Sequence, residues 1–443
     1  MKLENILLLS CRSPFLADDR IYPALGNLYL KSFINQYRPT VNVKVDDEYN
    51  LTIPEYYEPF DAIGISIMTP QREESLKILH MIKKRYPNKI VIAGGPHIKH
   101  YLQDILDAKE PYDYLVPYDG EKAILDIIDG KSEKVNYSIM NKGDILNQPR
   151  PDRTSKNAVN MLLKYHYNLG GRKASTMMTA RGCPERCKFC EDAQTAVKWS
   201  SLENLKIEMD DIKNLGYSAV YIFDDLFALA KTKVEPICKE LKKRDLIYRC
   251  NGQARYFTQD ESFAKMLADT GCYEIAFGAE SGSQKILDAI DKRTTVEQNY
   301  KFVELCNKNR IICKAFLMLG LPGETQETIK ETENFIKESG IKDFQLSIYY
   351  PYKGTKIRDA LDRGETGFDL YIEKEGLGAY GAKDGVDDAV LRTRTLTSQE
   401  LTDERNRILD TYKPYSGRGN LLTQNIEDHF FEIPENPEYK NDK

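Results

Sequence analysis

No stretch of this sequence approaches the roughly 20 consecutive apolar residues that a membrane-spanning helix needs, so a protein with no membrane span is expected. Nor is one charge in excess: 63 Lys and Arg stand against 68 Asp and Glu, a net −5. That balance carries no strong nucleic-acid signal and no hint of a polyanionic substrate, because phosphate-backbone binding rests on concentrated positive charge. The residues from Met1 to Asn5 run straight into a short apolar strand, without the h-region of a secretory leader. Nine cysteines are an odd set and a poor disulfide framework. A cytoplasmic protein with reduced thiols is expected, in which clustered cysteines are to be read first as metal ligands.

What is present is an ordinary globular balance, 41% hydrophobic and 30% charged, over 443 residues. That length exceeds what one core supports, so two or three domains are expected. Residues 1–140 alternate short apolar strands (6–9, 41–45, 61–67, 89–93 and 114–116) with amphipathic helices at 25–37 and 73–85. The alternation predicts a doubly wound, Rossmann-like parallel sheet whose ligand crevice lies beyond the C-terminal strand ends. Those ends carry Ser66, Thr69 and Pro70 after the third strand, Gly94-Gly95-Pro96-His97 after the fourth, and Gly120-Glu121 after the fifth. The glycines fit either tight turns or close approach of a ligand to the backbone. Residues 141–172 are polar and centred on Pro149 and Pro151, which reads as a linker.

The strongest signal is Cys183-Pro184-Glu185-Arg186-Cys187-Lys188-Phe189-Cys190. Three thiolates at C-x3-C-x2-C spacing can converge on one inorganic centre, and three ligands suit a [4Fe–4S] cube with one iron left open. Zinc would want a fourth Cys or His close by, and the nearest histidine is His166, upstream. Strands follow at 175–180, 219–223, 247–250, 273–277, 312–319 and 344–350, separated by helices at 202–215, 234–243, 261–270, 296–309 and 325–339. Six βα units predict an open, partial parallel barrel over 173–352, with its site at the C-terminal strand ends. The other six cysteines, Cys11, Cys238, Cys250, Cys272, Cys306 and Cys313, form no C-x-x-C pair and read as core thiols. Residues 353–443 read as a small C-terminal region with a capped helix at 396–412 and a polar tail from 424.

The cysteine motif resembles that of the radical S-adenosylmethionine (SAM) superfamily. The resemblance implies that Cys183, Cys187 and Cys190 hold a [4Fe–4S] cluster whose open iron chelates SAM, and that SAM is cleaved to a 5′-deoxyadenosyl radical. It places Phe189 near the adenine and Asp224-Asp225 where the SAM amino group is held. It also gives Arg255, Glu280 and Ser281 to ribose and carboxylate contacts, and Gly320 and Gly323 to the adenine segment. The strand-end segments of residues 1–140 resemble those of the cobalamin-binding domain attached to many such enzymes. That likeness implies Ser66, Thr69, Gly94, Gly95, Pro96, Gly120 and Glu121 as corrinoid contacts. The Asp-x-His-x-x-Gly segment of cobalamin mutases has no counterpart in Ser10-Cys11-Arg12-Ser13-Pro14-Phe15. Pro351-Tyr352-Lys353-Gly354-Thr355 is similar to a segment of cobalamin-type relatives, in which the region beyond covers the barrel mouth.

The implied function is cobalamin-dependent methylation of an unactivated carbon or phosphorus on a small-molecule or biosynthetic-intermediate substrate, with an external electron donor such as flavodoxin or ferredoxin. A non-methylating radical reaction (ring formation, carbon–carbon coupling or oxidation), with or without cobalamin, is the alternative. An iron–sulfur carrier or sensor without SAM is a third reading, disfavoured because a carrier needs no barrel cavity.

Overall fold

The computed structural model describes residues 3–12, 20–47, 53–365, 367–373 and 388–413. The reading of Ser13, Pro14 and Phe15, most of the segment between Gly364 and Asp388, and the polar tail from 424 lie outside these residues. The chain falls into two compact units. Unit 1 takes in residues 1–167, 175–177 and 198–217, and unit 2 residues 168–174, 178–197 and 218–443.

Unit 1 is built on β1 (Asn5–Ser10), β2 (Asn42–Asp46), β3 (Ala62–Ser66), β4 (Ile90–Gly94) and β5 (Tyr114–Val116), matching the five expected strands. They form one parallel sheet in the order 2-1-3-4-5. Near-continuous apolar runs suit strands buried on both faces, and Leu7, Leu9, Ile63, Ile65, Val91 and Ala93 pack in its core. Helices α1 (Leu25–Tyr37) and α2 (Arg72–Arg85) stand where helical spacing predicts them. Two more, α3 (Pro96–Asp107) and α4 (Gly120–Ile128), were not read from the sequence. In α3, Tyr101 has non-helical angles and breaks the period. With this order the chain reverses direction between β1 and β3, and that switch point opens a crevice at the C-terminal strand ends.

The expected linker is not irregular throughout. Helices α5 (Lys142–Asn147) and α6 (Lys156–Leu162) flank its prolines, each started by a side-chain cap, Asn141 and Ser155. Between them Arg153 is fully buried, with Nη2 2.8 Å from Glu208 Oε1 on α7 (Leu202–Asn214).

The larger sheet falls in unit 2 apart from residues 175–177. Its strands are β6 (Asn168–Leu169), β7 (Arg172–Met177), β10 (Ala219–Ile222), β11 (Ile247–Gly252), β12 (Cys272–Glu280), β13 (Ile312–Leu319) and β14 (Asp343–Ile348), in the order 14-13-12-11-10-7-6. Between β7 and β10 come two short strands, β8 (Ala180–Arg181) and β9 (Lys198–Trp199). From β10 to β14 each neighbour pairs in parallel. The result is a curled half-barrel of six βα-type strands, with the antiparallel β6 added at its edge. β7 runs three residues earlier than expected and stops at Met177. Connecting helices are α8 (Lys231–Lys243), α9 (Ala254–Gln259), α10 (Ser262–Asp269), α11 (Gln284–Ala289), α12 (Val296–Lys308) and α13 (Gln326–Glu338). α14 (Lys356–Asp362), the hairpin β15 (Leu370–Ile372) and β16 (Leu391–Thr393), and α15 (Ser398–Tyr412) complete the unit. α15 starts on a reciprocal cap between Thr397 and Glu400.

All six cysteines outside the motif are buried. Five of them gather in one core region: Cys250 lies within hydrogen-bond reach of Cys272, and Cys306 of Cys313, with Cys238 close to Cys250. Spacing along the chain gave no sign of this, because two helices and three strands contribute them.

Candidate active site

The cysteines lie on the loop that follows β8, and that loop is tied down at its start, middle and end. At its start, Asp225 Oδ2 accepts from Gly182 N at 2.9 Å. Gly182 has φ of +97°, and a Cβ there would come 2.5 Å from Ala196 O, so only glycine fits. Asp224, 1% exposed, accepts from Thr179 N at 2.6 Å and from the Thr179 hydroxyl, fixing the chain just before the loop. Burial pushes its carboxyl up to about 7, against the hydrogen bonds from Thr179 and Ala180. Cys183 N donates to Thr195 Oγ1 at 2.8 Å, closing the loop on itself.

The middle is held by Glu185, which is buried. Its Oε1 accepts from Arg255 Nη2 and from the Tyr256 hydroxyl, the latter at 2.7 Å. Its Oε2 accepts from Gln253 Nε2 at 3.2 Å. The end is held by the turn after α11: Lys188 N donates to Ile290 O and Lys188 Nζ to Ala289 O, both at 2.9 Å.

The three thiols are neighbours: Cys187 helps to raise Cys183, and both of those help to raise Cys190. Burial leads in lifting all three, Cys183 to about 11 and Cys190 to about 12. For Cys187 the nearby Lys292 cation works in the opposite direction. Lys292 is itself buried, its Nζ 2.6 Å from Glu280 Oε1 and 5.9 Å from the centre of the half-buried Phe189 ring. Burial pulls the lysine's pKa down, but Glu280 and Cys187 outweigh that and leave it above its ordinary value. Glu280 has φ of +60° at a register shift in β12, uncommon for a residue with a side chain. Gly278 leaves the room, since a Cβ there would lie 2.0 Å from Glu280 Oε1.

The donor set suits the cluster better than a single ion. Among the described residues no three His, Cys, Asp or Glu side chains stand close enough to share one ion. A four-iron cube takes each cysteine on a different iron and so accepts a wider spacing than tetrahedral zinc.

The remaining expected SAM contacts form a second knot. Ser281 is fully buried, its hydroxyl 2.9 Å from Thr332 Oγ1 and accepting from Ser283 N. Gly320 and Gly323 both have positive φ, +85° and +84°. Gly320 N donates to Glu324 Oε2 at 3.1 Å, and Thr328 donates to Oε1 at 2.5 Å. Within unit 2, then, Asp225, Arg255, Glu280 and Phe189 are joined to the cysteine loop by direct contacts or through Lys292. Asp224 braces the preceding residue pair, and Ser281, Gly320 and Gly323 shape neighbouring turns. Sequence reading passed over Glu185, Lys292 and Tyr256. Glu185 had a signal, an acid inside the motif itself; Lys292 had none.

In unit 1 the expected residues ring the C-terminal edge of the sheet. Ser66 ends β3, Gly94 ends β4, and Pro96 and Gly120 open α3 and α4. Gly95 has φ of +96°, and a Cβ would meet Ile67 O at 2.7 Å, so the turn itself demands glycine. Glu121 is buried. Thr69 Oγ1 lies 3.4 Å from His97 Nδ1. The His97 ring is buried and stacked on Tyr101, and burial brings its pKa down to about 4, so it is neutral. Its Nε2 has no hydrogen-bond partner. Met68 and Tyr118 stand exposed directly beyond β3 and β5, and Tyr137 lies exposed beside Tyr118. An open apolar edge with glycine turns fits a large flat cofactor such as a corrinoid.

Residues 177–336 match the model of the Radical SAM superfamily, and residues 24–128 that of the B12 binding domain. An uncharacterized methyltransferase of Pyrococcus horikoshii is 27% identical over 359 residues, 76% of this chain and 77% of that protein. An anaerobic magnesium-protoporphyrin IX monomethyl ester cyclase of Rubrivivax gelatinosus is 23% identical over 357 residues, 69% of this chain and 63% of its own length. The solved structure of the radical S-adenosylmethionine methyltransferase TsrM from Kitasatospora setae, with cobalamin and a [4Fe–4S] cluster bound, superposes with a TM-score of 0.65. It is 18% identical, covering 85% of this chain and 81% of TsrM, and shares the fold.

Proposed function

On the premise that this chain joins a B12 binding domain to a Radical SAM superfamily domain, we propose that it is a cobalamin-dependent radical SAM methyltransferase acting on a small organic substrate. The observation that carries this is the cysteine triad, braced at the mouth of a half-barrel in a chain that also holds a 2-1-3-4-5 parallel unit. Bound there, a [4Fe–4S] cluster supplies the electron that cleaves SAM, and a corrinoid supplies the methyl group.

The chain's own residues hold and orient. Cys183, Cys187 and Cys190 are the cluster ligands, and Lys292 favours the thiolate form of Cys187 through its charge. Phe189 flanks the adenosyl side. Asp224 and Ser281, buried and engaged, hold the walls of the SAM pocket. Asp225 and Glu280 reach SAM by exchanging their present partners, Arg255 keeps Glu185 through Nη2 and offers SAM its other N–H groups, Nε among them, and Gly320 and Gly323 let the adenine approach the backbone. Ser66, Thr69, Gly94, Gly95, Pro96, Gly120 and Glu121 border the corrinoid edge. In this assignment residues 1–140 serve the corrinoid, 173–352 the SAM chemistry, and 353–443 the covering of the barrel mouth. The electron comes from a cytoplasmic carrier of the flavodoxin or ferredoxin class.

Anaerobic reconstitution tests the reading. About four irons per chain, release of 5′-deoxyadenosine from SAM under reducing conditions, and a corrinoid co-eluting with the protein are expected. No 5′-deoxyadenosine would overturn the radical chemistry. A chain that cleaves SAM but retains no corrinoid would instead support ring formation or another non-methylating reaction, the reading favoured by the cyclase relative.

A further inference from the structure

We propose that Glu185 is the positioning residue of the cysteine loop. It acts through Arg255, Tyr256 and Gln253 to fix the directions of the Cys183 and Cys187 sulfurs. The inference rests on the triad's being the cluster site.

The loop's first tether uses its own backbone, Gly182 N to Asp225, and its last combines Lys188 N to Ile290 O with Lys188 Nζ to Ala289 O. Between Cys183 and Cys187 two side chains reach out of the loop: Arg186, exposed, with Nε 3.0 Å from Asp291 Oδ2, and Glu185, which is buried. Both its oxygens are engaged, one by a guanidinium and a phenol, the other by an amide. Its backbone O also accepts from Gln194 N at 2.6 Å. The partners are rigidly mounted. Gln253 is the residue before α9, and Arg255 and Tyr256 lie in that helix's first turn. Arg255 Nη2 also donates to the Tyr256 hydroxyl at 2.6 Å, and its cation stands 4.6 Å from the Tyr256 ring centre. The Gln253 amide reaches on to Lys292 O and Thr294 Oγ1, at 3.2 and 3.1 Å. One node therefore couples the middle of the loop to the segment that carries Lys292. With three donors converging on one buried carboxylate, the loop's centre cannot shift without stranding a buried charge. Arg255, expected to hold a SAM carboxylate, is first of all the counter-ion of the loop.

The test compares the full-length chain with Glu185→Ala, Glu185→Gln, Arg255→Met, Tyr256→Phe and the Glu185→Ala/Arg255→Met double variant, each reconstituted with iron and sulfide. Iron per chain, the rate of cluster loss to a ferrous chelator, and the EPR signature of the reduced cluster are read. Loss of an outer partner commonly weakens a metal site by 10- to 100-fold. Glu185→Ala is accordingly expected to speed cluster loss by about tenfold or more and to change the EPR signature. Glu185→Gln, which keeps an acceptor, should recover part of the loss. The double variant should be no worse than the worse single, because both remove one interaction. If Glu185→Ala does not fold, Glu185→Gln and Tyr256→Phe decide by the same readings. Parent-like iron content, loss rate and EPR in the Glu185 variants overturn the inference, as do multiplicative effects in the double. A parent chain that takes up no iron overturns the cluster reading instead, so the two failures are distinguishable.

Discussion

Replacing Lys292 by Met removes a charge while keeping most of the side-chain volume, and leaves the Glu280 carboxylate buried without its partner. The two side chains are 9% and 7% exposed, with Nζ 2.6 Å from Oε1. Removing one member of such a pair costs about 3–5 kcal/mol, because the survivor keeps its desolvation penalty and loses its compensation. Glu280 also sits at φ +60°, a conformation the ion pair helps to hold. In a unit of this size each kcal/mol moves the melting temperature by about 2–4 °C, so a drop of roughly 6–20 °C is expected for the cofactor-free chain by circular dichroism. The double variant Lys292→Met/Glu280→Gln removes the stranded charge and should regain most of that loss. Gly278→Ala should also destabilise, by displacing the ion pair while leaving both charges in place, since its Cβ would lie 2.0 Å from Glu280 Oε1 and 2.7 Å from Lys292 Nζ. If Lys292→Met and the double variant melt together, the loss is one of packing and the electrostatic reasoning is wrong.

Glu324 makes a prediction with a definite sign. Burial pushes its carboxyl up to about 7 from 4.5, against the hydrogen bonds from Thr328, Gly320 and Leu321. The folded state therefore binds this proton more tightly than the unfolded state, and stability falls as pH rises from about 4.5 through 7, by about 3 kcal/mol in all. Glu324→Gln should flatten that slope in melting curves taken from pH 5 to 8; parallel profiles would count against it. In unit 1, Gly95→Ala should cost about 3 kcal/mol or more, through positive φ and the 2.7 Å contact with Ile67 O. Gly94→Ala, whose Cβ would stand 3.5 Å from Val116 O, should stay within about 1 kcal/mol. Equal effects in denaturant titrations would show that backbone crowding is not what selects glycine there. Replacing Cys183, Cys187 and Cys190 together by Ala should leave reconstituted protein without iron, and retained iron would contradict the ligand assignment.

The parallel strands were legible because burial on both faces writes them as unbroken apolar runs, as at Ile6 to Leu9 and Ile90 to Ala93. The capped helices were legible for a local reason too, as at Thr397 and Glu400. The short helices α5 and α6 were missed because Pro149 and Pro151 dominate a polar stretch, although those prolines only separate the two. The cysteine motif was legible because its ligands are neighbours in sequence. Lys292 was not, since it meets Glu280 only through the fold. The same limit hid the double engagement of Arg255. A residue type and a strand end suggest a ligand, but only three dimensions show that Glu185 already occupies the guanidinium.

The burial of six thiols has a consequence for cofactor assembly, which is a competition among sulfurs for incoming iron and sulfide. Cys183 and Cys190 are half-buried on their loop, while Cys11, Cys238, Cys250, Cys272, Cys306 and Cys313 are closed off in the two cores. Iron reaching the folded chain meets the loop thiols first, because the six others are closed off within the cores. Alkylating reagents should accordingly mark the loop well before the cores. Oxidative damage should follow the same order, so a cluster lost to oxygen is rebuilt only once the loop thiols are reduced again, with no core needing to open.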